Sequence, residues 1–259
     1  MACVNMCPKG CISMVDAGEG FCIPQINRED CSECGACMRA CHRLEPNMQY
    51  YTPLHTLACW TKKDDDRKNS SSGGAFSVLA RKVLNMGGVV FGATMDKDLQ
   101  VKHIGIDSDK DIPLLQGSKY VQSYLGDTFL DVRNHLKEGR LVLFTGTPCQ
   151  VGGLLTFLRK KYDNLITCDM VCHGVPSQRA FNAFCEGTHL SGTCVGISFR
   201  FTEGWGFQLS RELVAPTKDG DSNSACVKRK PVCPSKAWYM RAFNKSLMFN
   251  EACYTCAYA

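Results

Sequence analysis

Four cysteines, Cys31, Cys34, Cys37 and Cys41, fall in a C-x₂-C-x₂-C-x₃-C run. Three thiolates two residues apart can converge on three corners of one [4Fe–4S] cube from a tight loop, and the fourth leaves the loop to serve a second cluster. Upstream, Cys3-Val-Asn-Met-Cys7-Pro8 reads as the last third of a sister motif, so Cys7 is expected to complete the set with Cys31, Cys34 and Cys37. Structural zinc is the rival reading, but zinc usually takes two separated pairs rather than three evenly spaced thiols and a fourth. Cys3 and Cys41 are candidate ligands of the second cluster, which would need two more cysteines ahead of Cys3. The chain is therefore expected to be short at its N-terminus. Cys11 and Cys22 could be improvised ligands, but they read as ordinary buried thiols, and the second motif ends Cys41-His42 where Cys-Pro is usual.

Further along, four loops carry residue types that could do chemistry. Ser70-Ser-Ser72-Gly73-Gly74-Ala-Phe76 opens a helix, where free N–H groups and the dipole favour a phosphate. The alternative is a helix cap after a flexible serine tract. Gln116-Gly117-Ser118-Lys119-Tyr120 offers a turn, a hydroxyl, a cation and a ring that could stack; a surface turn would look the same. Neither is a Walker loop or a G-x-G-x-x-G fingerprint. Gly146-Thr-Pro-Cys149-Gln150 and Cys172-His173-Gly-Val-Pro-Ser177 each follow an apolar strand. A cysteine at a helix N-terminus is expected to have a lowered thiol pKa. With Cys253-x₂-Cys256 these loops supply four thiols, enough for a second metal cluster. A redox dithiol at Cys253/Cys256 and a nucleophilic Cys149/His173 pair remain open.

These loops need a scaffold. Helical apolar spacing is expected over 75–86, 129–138, 154–161 and 177–185, and short strands over 89–94, 101–106, 141–145, 165–171 and 195–201. That alternation predicts an α/β core with a largely parallel sheet, its ligands at the carboxyl ends of the strands. Residues 1–50 form a small ferredoxin-like module, too poor in apolar residues to fold well without its cluster. Residues 51–72 are a polar connector, 73–259 the core, and 215–234 resist assignment.

Composition fits a reduced redox protein. Eighteen cysteines in 259 residues is far above ordinary usage, yet the chain is too long for a small disulfide-stapled scaffold. No leader and no run of membrane-span length is read, so the expected compartment is the cytoplasm. A net charge of +5, with one short Lys228-Arg229-Lys230 run, does not call for nucleic acid.

The ordered set of Ser-Ser-Gly73-Gly74-Ala-Phe, Gln116-Gly-Ser-Lys-Tyr120, Gly146-Thr-Pro-Cys149-Gln, Cys172-His-Gly-Val-Pro-Ser177 and Cys253-x₂-Cys256 resembles the coenzyme F420 hydrogenase/dehydrogenase beta subunit family, in its bacterial form with a ferredoxin module in front. The resemblance covers nearly the whole chain. It implies that Cys149, Cys172, Cys253 and Cys256 hold a [4Fe–4S] cluster and that Ser72, Gly73, Gly74, Gly117, Ser118, Lys119 and Tyr120 line an FAD site. Family members continue past the C-x₂-C pair, so a C-terminally short chain is also expected. The implied activity is an iron–sulfur flavoprotein oxidoreductase. Electrons would pass between a ferredoxin or other redox partner, the clusters and FAD, with hydride exchange to an unidentified substrate or deazaflavin-like coenzyme. No catalytic side chain is singled out; His173 could give a proton or simply be a hydrogen-bonded loop residue. A non-catalytic electron-transfer subunit and a zinc-stabilised binding module are the alternatives.

Overall fold

The computed structural model describes residues 1–44, 52–186, 193–201, 208–214, 227–233 and 236–258. The expected boundary at 50/51 and most of the unassigned 215–234 stretch lie outside the described residues. Near the N-terminus, strands β1 (Ile12–Asp16) and β2 (Cys22–Ile26) pair antiparallel between the short helices Ala2–Met6 and Ala36–Arg39. The β1–β2 turn is held by Asp16, whose Oδ1 accepts from the backbone N–H of Gly18 (2.8 Å) and Gly20 (3.2 Å).

The central sheet has four strands: β3 (Val89–Met95), β4 (Val101–Ile106), β5 (Val142–Gly146) and β6 (Leu165–Asp169), in spatial order β4-β3-β5-β6. The β3–β5 and β5–β6 pairs are parallel and β3–β4 is an antiparallel hairpin. Its turn is another Asp device, with Asp96 Oδ1 accepting from the N–H groups of Asp98 and Gln100. Side chains alternate across the sheet, as the two-residue strand period requires. Val89, Phe91, Val142 and Phe144 face the helices Thr128–Lys137 and Pro148–Leu158. Val90 and Leu143 face the helix Ala75–Asn85 through Ala80, Val83 and Leu84. Helices thus cover both faces, the arrangement that makes β3 and β5 predominantly apolar.

A third sheet, β7 (Thr193–Phe201), β8 (Gln208–Val214) and β9 (Val227–Val232), is antiparallel in both pairings. The expectation of a largely parallel sheet therefore holds for the central four strands, and β8 and β9 were not expected. An aromatic cluster of Phe181, Phe184, Phe199, Tyr239, Phe243 and Phe249 joins β7 to the helices Gln178–Glu186 and Trp238–Asn244. The chain ends in the short helix Glu251–Tyr254. Among the described residues no helix is long and apolar enough to cross a membrane.

Two segments differ from their sequence reading. The 148–158 helix begins six residues before the expected Leu154, because Thr147 and Gln150 form a capping box around Pro148. The polar connector contains a helix, Asp64–Lys68, whose Asp66 accepts both guanidinium N–H groups of Arg81 at 2.8 and 3.2 Å. The N-terminal segment also packs directly on the core. Ala2 and Ala40 are buried with Phe129, Val151 and Leu154, and Arg179 Nη1 donates to Gly18 O (2.6 Å).

Phe157 is 1% exposed, with its ring 5.8 Å from that of Phe129 and the Arg133 guanidinium 4.8 Å above it. Phe157→Ala is expected to cost about 3–5 kcal/mol, read as a lowered denaturant midpoint at unchanged slope.

Candidate functional site

At the carboxyl ends of β3, β5 and β6 the structure opens into a cavity of about 1590 Å³. The parallel pairing of β5 with β6 sets Gly146 opposite Asp169, so the segments that follow are neighbours. Cys149 stands in the first turn of the Pro148–Leu158 helix and Cys172 in the loop after β6, and both line the cavity. The chain end is drawn against that loop by a Pro176–Phe249 bridge and by Asn250 N–H donating to Val175 O (3.0 Å). That brings Cys253 and Cys256 to the same place. Gly174, at φ +123°, makes the approach possible, since a Cβ there would run into the Phe249 ring.

The thiols feel one another. Burial pushes the Cys149 thiol up, against a contact with Thr147 Oγ1 at 3.2 Å, and Cys172, Cys256 and Cys253 add to the rise. Burial likewise pushes up Cys172, helped by Cys256, and Cys253, helped by Cys172 and Cys256. The expected lowering at Cys149 is therefore reversed: desolvation and thiolate repulsion outweigh the helix N-terminus. Among the described residues no three His, Cys, Asp or Glu side chains close on a single metal-ion position.

All seven expected dinucleotide residues, Ser72, Gly73, Gly74, Gly117, Ser118, Lys119 and Tyr120, line the same cavity. Their two loops are tied by Ser118 N–H donating to Ser71 Oγ (2.6 Å) and Gln116 Nε2 to Ser77 Oγ (2.7 Å). Gly74 (φ +82°) leads into the Ala75–Asn85 helix without a side-chain cap. Gly73 is demanded by the chain itself, because a Cβ would strike the Cys59 carbonyl. Lys119 Nζ donates to Gln116 O (2.8 Å) and Leu114 O (3.4 Å), and burial lowers its pKa to about 8. The Tyr120 ring, expected to be free for stacking, instead packs edge-on against Phe199 and Phe243. Its hydroxyl accepts from Arg200 Nε at 2.8 Å.

On the N-terminal side, Cys3 and Cys41 line this cavity as well. Cys7 Sγ lies 3.3 Å from Cys11 Sγ. That contact, then burial and the charges of Cys7 and Cys31, push Cys11 up to about 11. Burial opposes ionisation of Cys7, but hydrogen bonds to Cys11 and the Lys9–Gly10 backbone outweigh it and hold Cys7 below its ordinary range. Backbone Ala36 and the Ser32 hydroxyl lower Cys34, against a contribution from Cys7. Cys7, Cys11, Cys31 and Cys34 are thus neighbours, Cys37 is half-buried on the adjacent helix and Cys22 is exposed. The sequence reading treats Cys11 as an ordinary thiol, whereas the fold places it inside this group. Arg43 ties this end to the chain terminus through Ala252 O (3.2 Å) and Thr255.

The sequence reading missed His103, which is 7% exposed in β4 and lines the cavity. Its Nε2–H donates to Thr145 O (3.1 Å), Ser123 Oγ donates to Nδ1 (2.6 Å), and the ring stacks on Phe144. The available signal was a polar residue at an inward position of an alternating strand, beside Val101. His173, by contrast, is a loop histidine bonded to Ser246 Oγ (3.3 Å) between the Phe243 and Phe249 rings.

Burial lowers the His103 pKa from 6.5 to about 4. Between those values the unfolded chain binds the extra proton, so stability falls as pH drops from 6.5 towards 4. His103 contributes on the order of 3 kcal/mol to that fall, and half-buried His42, also lowered to about 4, chiefly by desolvation, acts in the same direction. His103→Gln, which keeps a donor and an acceptor, is expected to flatten the decline in denaturant midpoint over that window.

Residues 139–259, which include Cys149, Cys172, Cys253 and Cys256, match the family model for the C terminus of the coenzyme F420 hydrogenase/dehydrogenase beta subunit. Among solved structures the chain is similar to a chain of the F420-reducing [NiFe] hydrogenase complex from Methanosarcina barkeri, with 16% identity and a TM-score of 0.49. That likeness covers 76% of this chain and 63% of the hydrogenase chain, so the present chain spans less than two thirds of it. No curated protein matches. The match places the resemblance read from the sequence on residues 139–259, just under half of the chain.

Proposed function

We propose that this chain is an iron–sulfur flavoprotein oxidoreductase that moves electrons between [4Fe–4S] clusters and FAD. The observation that carries the reading is a single cavity lined by both candidate dinucleotide loops, by Cys149 and Cys172, and by Cys3 and Cys41. At about 1590 Å³ it exceeds the roughly 300–1,000 Å³ of ordinary small-molecule sites, which suits a dinucleotide.

The residues fit the groups by their chemistry. Cys149, Cys172, Cys253 and Cys256 would hold one cluster, and Cys7, Cys31, Cys34 and Cys37 another, each a soft thiolate set of the kind iron–sulfur clusters take. The uncapped helix start after Gly74 would receive the FAD pyrophosphate. When bound, FAD exchanges single electrons with clusters and a hydride with a substrate or deazaflavin-like coenzyme. The protein orients and insulates. The Ser71–Ser118 and Ser77–Gln116 bonds fix the two loops against each other, and His103 ties the 116–125 segment to Thr145, three residues before the helix that carries Cys149. The N-terminal residues would form the ferredoxin-type module (1–50), joined by 51–72 to the flavin core (73–259) and receiving electrons from a ferredoxin or another redox protein. Such a wealth of thiols suits the reducing cytoplasm.

Protein purified without oxygen is expected to carry about eight iron with matching sulfide and roughly one FAD per chain, as two four-thiolate cubes and one flavin require. Iron and sulfide without flavin would turn the reading to an electron-transfer subunit, and zinc without sulfide would overturn it. Cys149→Ser should lose about half the iron and Cys34→Ser the other half; unchanged iron in either variant would sink that ligand set.

A further inference from the structure

Lys119 is a half-buried cation on the cavity wall with no carboxylate beside it among the described residues. The ion pairs there use Asp66, Asp109, Asp96 and Glu138, none of them with Lys119. Its ammonium has three donors, and two carbonyls, Gln116 O and Leu114 O, take two of them. Burial alone accounts for its lowered pKa, with no negative group opposing the shift. His103, which feels the Lys119 charge, is neutral, donates one ring N–H to Thr145 O and accepts from Ser123. Around the cavity as a whole, the described acidic lining residue is Asp169, against Arg43, Lys119 and Arg200. A partly desolvated ammonium on a wall of this charge is best satisfied when an anion meets it.

We propose that Lys119 is the counter-charge for an anionic group of the cavity's ligand. The inference rests on the flavin reading of the cavity and narrows it. FAD offers two sources of that negative charge: its pyrophosphate, and the ring after reduction. Both would accept from the third donor of an ammonium held in place by two carbonyls.

The test compares wild type with Lys119→Met and Lys119→Arg, purified without oxygen, by binding of FAD and ADP and by the midpoint potential of bound flavin. Iron content confirms that each variant is folded, and Lys119→Gln replaces the Met variant if that one loses its iron. A charged hydrogen bond lost from a partly desolvated site should cost about tenfold in affinity, with Lys119→Arg retaining most of it. Equal losses for FAD and ADP at an unchanged potential assign the pyrophosphate. Unchanged binding of oxidised FAD and ADP, with the potential lower by about 30 mV per tenfold for two electrons, assigns the reduced ring. Affinities and potential all unchanged in the neutral variant overturn the proposal. If wild type binds ADP but not FAD, the flavin reading falls and the Lys119 assignment is decided by ADP alone; if it binds neither, both fall.

Discussion

The parallel register of β5 against β6 is the constraint on which the site depends. Because Gly146 stands opposite Asp169, both strands end at the same height and release their loops side by side. A one-residue slip would exchange the faces of every side chain in β6 and carry Cys172 away from Cys149. The register is fixed from below by packing rather than by the loops. Val142 and Phe144 lock into the helices on one face while Leu143 locks into the helix on the other. An apolar core on both sides of β5, joined from the edge strand β6 by Leu165 on one face and Cys168 on the other, thus determines where polar chemistry can be placed at the strand ends.

Above that platform, positions are set by a few buried polar bonds. The 116–125 segment has little regular structure, yet it is tied to β4 by His103 and Tyr124, to the serine tract by Ser118, and to the Tyr239 hydroxyl through Tyr120 O. Each bond is modest alone, but leaving any one of these buried groups unpaired would cost more than the bond contributes. That asymmetry makes an irregular loop behave as a fixed wall. It also explains why the Tyr120 ring is not available for stacking: its edge is already committed to Phe199 and Phe243.

Much of the scaffold was legible because strand and helix periods are written locally. The 75–86 helix and the strands beginning at Val89 and Val101 are where apolar spacing puts them. The helix at Pro148 was misplaced because Gly152 and Gly153 interrupt the apolar pattern. Gly152 is there for a distant reason: a Cβ would lie 2.6 Å from the Tyr258 hydroxyl. The connector was read as loose because the Arg81 that captures Asp66 stands 15 residues away. His103 was overlooked, and Cys11 set aside as an ordinary thiol, for a similar cause. Their partners, Thr145 and Ser123 for one and Cys7 and Cys31 for the other, are assembled by tertiary structure. Spacing revealed which cysteines could act together, but not how deeply they would be buried.

Burial in turn changes what those cysteines can do. A helix N-terminus in water would favour a thiolate at Cys149, whereas here desolvation and three neighbouring thiols push its proton affinity up. A set of thiols that resists ionisation one member at a time makes a poor nucleophile, which weighs against a hydrolytic Cys149/His173 pair. The engagement of His173 with Ser246 and two phenylalanine rings weighs the same way. A bound cation inverts the balance, since metal charge compensates all the thiolates together and releases their protons on binding. The same reasoning joins the two halves of the site. On the proposed reading, thiols that would take a cation and an ammonium that would take an anion line one cavity, and the chain gains most when both are satisfied.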